Sequence, residues 1–268
     1  MYLIDAHTHL DHYQAEWPTA LAEIQQQQIL SIGVAVDIPS YLRTKQIAAA
    51  SPWIIPTFGI HPGQAHRYAD QLPTLDAYIT ESPILGEIGL DYVWDEDPAH
   101  YPLQRTVFEY FLVAAKAQNK SVNLHTKGAE QEILDLLRRY AVERALIHWY
   151  SGPIDVLDHL IDYGCYFTIG VEVLVSPQIQ AIAQRVPLDR LLTETDNPGG
   201  QQWLTGEIGM PSLVQTVLEH LAGLKQMAPA DLMTIVQNNF QRLAPEVSLP
   251  MAANYLNEAT RTEAPART

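Results

Sequence analysis

The stretches Ser121-Val-Asn-Leu-His125 and Ala145-Leu-Ile-His-Trp149 are short and mostly apolar, and each carries a histidine at or near its end. Between them lie four apolar side chains spaced as one face of a helix: Ile133, Leu136, Leu137 and Tyr140. Short apolar runs are typical of parallel strands that are buried on both faces. Residues 121–149 therefore predict a strand, a helix and a second parallel strand.

The same alternation extends along most of the chain. Six more apolar runs predict strands at residues 2–6, 31–36, 54–60, 84–89, 166–170 and 191–196. Two further helical stripes occur at Val107, Phe108, Phe111, Leu112 and Ala115, and at Leu213, Val214, Val217, Leu218 and Leu221. About eight strand–helix repeats predict an α/β fold of the (β/α)8 TIM barrel type. An open doubly wound sheet is the alternative, which the lack of a Gly-x-Gly-x-x-Gly or Walker motif in the sequence weakens.

The length and composition suit one large domain. The chain has 268 residues, of which 47% are hydrophobic and 18% are charged, and this excludes a disordered or low-complexity protein. No change in composition divides it, so we expect residues 1–245 to form the barrel. Prolines punctuate a mostly polar stretch after Pro245, and we expect residues 246–268 to be a C-terminal tail, frayed from about residue 258.

The sequence shows no targeting or membrane signal. Its start, Met-Tyr-Leu-Ile-Asp-Ala-His, lacks the basic and apolar regions of a signal peptide, and no apolar run approaches the roughly 18 residues that span a bilayer. The single cysteine, Cys165, excludes an intramolecular disulfide and a multi-cysteine metal site. These features predict a cytoplasmic protein without a membrane partner, and we expect a complete barrel to be a monomer.

The charge bears on the substrate. Sixteen basic and 31 acidic residues give a formal net charge of −15. This argues against a sequence-independent nucleic-acid binder, because such proteins usually present a basic face. A nuclease remains open, since a metal ion can supply positive charge locally.

Candidate metal ligands fall at the ends of predicted strands. They are four histidines and two carboxylates: His7, His9, Glu87, His125, His148 and Asp196. In a barrel the carboxyl ends of the strands meet at one mouth, where such enzymes do their chemistry. Any one of these residues alone is as readily explained by core packing or an ion pair, but the joint placement favours a metal site. Six ligands are too many for one tetrahedral ion and suit two divalent ions, which lower the pKa of bound water.

One further histidine is expected near the mouth. His61 follows the third predicted strand in Gly-Ile-His-Pro, so it can contact the substrate or support a ligand. Imidazole-rich ligation favours Zn, Mn, Co or Ni over an all-oxygen Mg site.

Six motifs, in this order, resemble the TatD family of metal-dependent deoxyribonucleases, a branch of the amidohydrolase superfamily. They are Asp5-Ala-His-Thr-His-Leu-Asp11, Phe58-Gly-Ile-His-Pro62, Gly86-Glu-Ile-Gly-Leu-Asp-Tyr92, His125-Thr-Lys127, His148-Trp-Tyr-Ser-Gly152 and Glu194-Thr-Asp-Asn-Pro198. Near residue 240, Asn238-Asn-Phe240 resembles the family's closing region. The resemblance implies a TIM barrel that hydrolyses phosphodiester bonds in DNA, often as an exonuclease, with one or two divalent ions that include Mg.

The resemblance also implies a role for each residue. His7, His9 and Asp196 would hold one ion, His125 and His148 the other, and Glu87 would bridge them. Asp196 would also act as the general base toward the attacking water.

The sequence departs from the family pattern around the ligands. Lys127 stands where the family has arginine, so a phosphate would meet a point charge and not a bidentate fork. Trp149-Tyr150 replaces Cys-Phe, and Gln201-Gln-Trp203 lies where the family more often has an aromatic residue and a basic loop. These changes alter the walls of the site and leave its ligands intact.

Three functions follow. The first is cleavage of a DNA end or short single strand, which aromatic residues expected in the mouth loops would help to bind: Tyr92, Trp94, Trp149 and Trp203. The second is a small-molecule phosphoesterase, lactonase or amidase on the same metal site, which the acidic charge favours. The third, a non-catalytic metal-binding scaffold, conflicts with the intact ligand set.

Overall fold

The structure is a computed structural model that describes residues 2–247. The tail predicted from residue 246 therefore lies almost wholly outside the described residues. None of the described helices is long and apolar enough to cross a membrane.

Eight parallel strands pair in chain order. They are β1 (Leu3–Thr8), β2 (Ile29–Val34), β3 (Ile54–Thr57), β4 (Ile84–Asp91), β5 (Ser121–Lys127), β6 (Ala145–Ile147), β7 (Tyr166–Ile169) and β8 (Leu191–Thr193). Regular ladders join β1, β2 and β3 in one sheet, and they join the five strands from β4 through β8 in another. A doubly wound sheet would reverse its strand order at a switch point, and this order does not reverse.

Hydrogen bonds connect the two sheets where the regular ladders stop. Between β3 and β4, the N–H of Gly86 donates to the carbonyl of Phe58 over 2.8 Å. Between β8 and β1, the N–H of Asp196 donates to the carbonyl of His7 over 2.9 Å. The predicted TIM barrel is therefore confirmed as the fold, with two seams at which strand pairing is irregular.

Ten α-helices follow the strands. They are α1 (Trp17–Gln27), α2 (Ile38–Ala48), α3 (Asp76–Glu81), α4 (Tyr101–Gln118), α5 (Glu130–Tyr140), α6 (Ile154–Tyr163), α7 (Pro177–Arg185), α8 (Gly199–Thr205), α9 (Leu213–Leu224) and α10 (Pro229–Leu243), among the described residues. The stripe predicted on α4 is buried along its whole length. Local signals set the ends: the side chain of Asp37 accepts the N–H of Ser40 at the start of α2, and Gly164 ends α6 with a φ of 102°.

Several strand ends differ from the prediction. β3, β6 and β8 end two or three residues earlier than expected, so His148 and Asp196 lie in the loops that follow β6 and β8. The prediction that Glu87 lies late in its strand is wrong, because β4 continues to Asp91. His9 lies just beyond β1, which ends at Thr8, two residues later than predicted.

β4 is irregular at Glu87. Its register against β5 shifts between Leu85 and Ile88, and the Gly86–Glu87 peptide is cis. Glycine is needed on either side: a Cβ at Gly86 would lie 2.6 Å from Cβ of Asn123, and one at Gly89, whose φ is 146°, would lie 2.0 Å from a backbone oxygen of β5. These close approaches bring Glu87 next to the histidines of the neighbouring strands.

Candidate metal centre

The carboxylate of Glu87 lies at the middle of the cluster. Its Oε2 is 3.6 Å from Nε2 of His7 and 3.5 Å from Nε2 of His9. Its Oε1 is 2.8 Å from Nδ1 of His125 and 2.9 Å from Nε2 of His148. Because the two oxygens face different pairs of imidazoles, Glu87 divides the cluster into two halves.

Asp196 completes the first half. Its Oδ1 is 3.5 Å from Nε2 of His7 and 3.2 Å from Nε2 of His9. The loop after β8 brings it there with a left-handed backbone, at a φ of 53°. The structure thus brings together all six residues that the sequence singled out as ligands.

His61 lies beside the second half. Its Nε2 is 3.7 Å from Oε1 of Glu87, and its ring meets that of His125 edge to face at 4.6 Å. Burial lowers the pKa of His61 to about 4, so the ring is neutral at pH 7. Because its Nδ1 accepts the N–H of Gly63 over 3.1 Å, the neutral ring carries its proton on Nε2.

Two ligand candidates form a hydrogen bond with a polar side chain through the other ring nitrogen, and a third faces a carboxylate there. Oδ1 of Asn123 is 3.0 Å from Nδ1 of His7. Oδ2 of Asp91 is 2.9 Å from Nε2 of His125, and Oε2 of Glu194 is 3.6 Å from Nδ1 of His148. Partners of this kind fix the orientation of imidazoles that bind metals.

Sequence reasoning missed these supporting residues. Asp91 and Glu194 belong to the motifs quoted above, but nothing in the sequence assigned them a partner. Asn123 lies two residues before His125 on β5, and this spacing, which places both on one face of the strand, was the available signal.

Charges in the cluster compensate one another. Burial by itself raises the pKa of Glu87, but the surrounding histidines outweigh it and hold this pKa well below its usual range. Burial lowers the pKa of His148, yet Glu87 and Glu194 raise it to about 10. Without other cations the imidazoles neutralise the buried carboxylates, as bound metal would.

The donor set fits divalent metal ions. Nε2 of His7 is buried and has no hydrogen-bond partner among the described residues, although it points at the oxygens of Glu87 and Asp196. A buried nitrogen without a partner is costly, and a metal ion between it and the two carboxylates would satisfy it. His7, His9 and Glu87 also bring one donor atom each within 4.8 Å of the others.

The cluster opens into a cavity of about 1050 Å³. Lys127 lies on its wall, where its Nζ donates to Oγ of Ser151 over 2.8 Å and to the carbonyl of Trp149 over 3.1 Å. Burial lowers the pKa of Lys127. Lys127, which the sequence predicts to bind the substrate, therefore also holds the loop after β6.

Comparison with known proteins identifies the family of this chain. The family model described as TatD related DNase matches residues 4–245. The metal-dependent hydrolase YcfH of Escherichia coli K12 is 29% identical over 260 residues, which cover 91% of this chain and 96% of YcfH. Human deoxyribonuclease TATDN3 is 24% identical over 264 residues, which cover 91% of this chain and 95% of TATDN3.

A solved structure shows the same fold. The crystal structure of YJJV, a TatD homologue from Escherichia coli, superposes with a TM-score of 0.82 at 22% identity and covers 92% of this chain and 98% of its own. The match of the family model along nearly the whole described chain is decisive. This protein belongs to the TatD-related DNase family of metal-dependent hydrolases.

Proposed function

We propose that this protein hydrolyses phosphodiester bonds at a DNA end or in a short single strand, with two divalent metal ions. The observation that carries the proposal is the arrangement around Glu87, whose two oxygens face separate sets of imidazoles. Paired ions of this kind suit in-line displacement at phosphorus. TATDN3, a relative of this chain, is named a deoxyribonuclease.

The residues divide into two ligand sets. His7, His9 and Asp196 would hold one ion, His125 and His148 would hold the other, and Glu87 would be shared between them. Bound there, divalent ions polarise the attacking water and neutralise charge on the phosphoryl group. The imidazole-rich ligand set favours Zn, Mn, Co or Ni, and the family resemblance adds Mg to the candidate metals.

Asp196 accepts the proton of the attacking water. Burial raises its pKa, but the hydrogen bond and charge of His9 outweigh this effect and hold the pKa below its usual range. The carboxylate is therefore ionised and able to act as a base at neutral pH. About a fifth of the Asp196 side chain is exposed, so it reaches the cavity.

His61 and Lys127 face the substrate. The Nε2–H of neutral His61 donates to a phosphoryl oxygen, which a ring without a proton on that nitrogen cannot do. Lys127 supplies positive charge on the wall of the cavity that contains the cluster. The location in the cytoplasm and the monomeric state remain predictions.

Cleavage assays test this function. Purified protein loaded with Mn²⁺ or Zn²⁺ should shorten an end-labelled single-stranded oligonucleotide and hydrolyse bis-p-nitrophenyl phosphate, and EDTA should abolish both reactions. Matched protein carrying Glu87→Gln is the control for a contaminating nuclease. Full activity of that variant, or no phosphodiester cleavage by the wild type with any of the five metals, overturns the proposal.

A second candidate is hydrolysis of a small phosphoester, lactone or amide on the same ligands. The net charge of −15 and the acidic cavity wall, which includes Glu130 and Glu172, favour a substrate with less negative charge than DNA. A panel of such compounds, assayed with and without EDTA, discriminates. Metal-dependent turnover of one of them at a much higher kcat/KM than of DNA would select this candidate.

A further inference from the structure

Two exposed tryptophans meet at the mouth of the cavity. Trp94 follows β4 and is 63% exposed, and Trp203 lies in α8 and is 61% exposed. Their rings contact edge to face at 6.4 Å, with planes 86° apart. Both line the cavity that contains Glu87 and Asp196. Large exposed rings that a loop and a separate helix bring to one mouth are typical of a binding surface.

A third ring anchors this pair. Trp149 contacts Trp203 edge to face at 5.9 Å. Its indole N–H donates to Oε2 of Glu172 over 2.5 Å, and its backbone N–H donates to Oε1 of Glu194 over 2.9 Å. Trp149 is therefore fixed from both ends, and it holds Trp203 beside the ligands while the outer ring faces stay open.

Charge around the mouth does not favour a phosphate backbone. Among the cavity residues that the structure describes, Lys127 is the single lysine or arginine, and it already bonds to Trp149 and Ser151. Carboxylates on the same wall include Glu130 and Glu172. Recognition away from the metal site therefore depends on the aromatic rings.

We propose that Trp94 and Trp203 form a subsite for an unpaired flat ring, a nucleobase or an aryl group of similar size, next to the scissile bond. The inference rests on the proposed function and names its substrate class. Bases inside a duplex stack on one another and leave no open face, whereas a terminal or single-stranded base stacks readily on indole. The subsite thus selects substrates by a ring and not by a long anionic backbone.

Kinetics with a matched pair of substrates tests the subsite. A short single-stranded oligonucleotide is compared with the same molecule whose terminal nucleotide is abasic, so that the phosphodiester is unchanged. Trp203→Ala and Trp94→Ala should each raise KM for the normal oligonucleotide about 5- to 150-fold, with kcat unchanged. Neither should alter KM for the abasic one.

Further variants separate stacking from apolar contact. Trp203→Phe keeps a ring and should recover most of the affinity, whereas Trp203→Leu should not. Val113→Ala, on the exposed side of α4 and away from the cavity, is the control and should change nothing. Equal effects of Trp203→Ala on both oligonucleotides overturn the subsite.

Equilibrium binding makes the test independent of turnover. Calorimetric titration of metal-free protein in EDTA compares thymidine monophosphate, phenyl phosphate and deoxyribose 5-phosphate. Trp203→Ala should weaken the first two at least fivefold and leave the third unchanged, and the ratio of the first two tells a nucleobase from an aryl ligand. If the wild type and Trp203→Ala bind thymidine monophosphate equally, the subsite is refuted. If binding depends on Trp203 but no phosphodiester is cleaved, the proposed function fails and the subsite stands.

Discussion

The carboxylate of Asp91 and the imidazole of His125 are paired inside the barrel. Oδ2 of Asp91 is 2.9 Å from Nε2 of His125, while Nδ1 of the same ring is 2.8 Å from Glu87. Burial by itself lowers the pKa of His125, but the hydrogen bonds that its ring donates to Asp91 and Glu87 raise this pKa above its usual value. The ring is therefore fixed in an orientation that presents Nδ1 to the metal centre.

Replacing Asp91 should weaken metal binding. Asp91→Asn keeps an oxygen for the backbone N–H groups of Val93 and Trp94 but lowers the basicity that the carboxylate gives to His125. We expect a loss of about 10- to 100-fold in affinity for one ion. Competition with a fluorescent chelator measures it, and Asp97→Asn, which changes an exposed carboxylate, is the control. Equal affinity in Asp91→Asn and wild type would contradict a supporting role.

Replacing Asp196 tests the general base. Asp196→Asn keeps the size of the side chain and removes its ability to accept a proton. The rate of phosphodiester cleavage should fall about 10²- to 10⁴-fold. Metal content by mass spectrometry is measured on the same sample, so that a lost base is distinguished from a lost ion. A fully metal-loaded variant with wild-type kcat would refute the assignment.

Removal of metal should destabilise the fold, because the buried cluster then depends on imidazoles alone to offset its carboxylates. Each ion that is present near 100 times its Kd contributes about 2.7 kcal/mol, so loss of one ion to EDTA should lower Tm by about 5–10 °C. Scanning calorimetry measures the shift. Glu87→Gln, which removes the carboxylate shared by both halves, should respond much less to EDTA. If EDTA leaves the Tm of the wild type unchanged, this result argues against metal at this site.

Lys127 should affect substrate binding more than stability. Lys127→Met keeps the aliphatic length and removes the charge, so KM for DNA should rise about 10- to 100-fold. Lys225→Met is a matched control, since Nζ of Lys225 donates to the carbonyls of Gln184 and Val186 away from the cavity. A lower Tm with unchanged KM would mean that Lys127 serves only the loop after β6.

The thiol of Cys165 should be inert in the folded protein. It is fully buried, and burial raises its pKa to about 12, so almost no thiolate forms between pH 6 and pH 9. Ellman's reagent should detect one thiol per chain in guanidinium chloride and none in buffer within the same time. Rapid reaction of the native protein across this pH range would show that the site opens.

Much of the fold and of the centre was accessible to sequence reasoning. Apolar runs of strand length and helical stripes depend on local periodicity, and both predicted the barrel. His7 and Asp196 were assigned to one site because the carboxyl ends of barrel strands meet. The position of Glu87 within its strand was misplaced, because β4 continues to Asp91 through its pairing with Lys127 on β5, and a local pattern does not encode that pairing.

The sequence by itself determined the architecture and the residue types of the candidate metal ligands, because strand and helix periods and side-chain chemistry are local properties. The tertiary structure alone decided which oxygen of Glu87 faces which imidazole, that Asn123 supports His7, and that Trp94 meets Trp203. These pairs are far apart in the chain. Their contacts depend on strand register, loop path and the packing of side chains across the barrel, which no local pattern encodes.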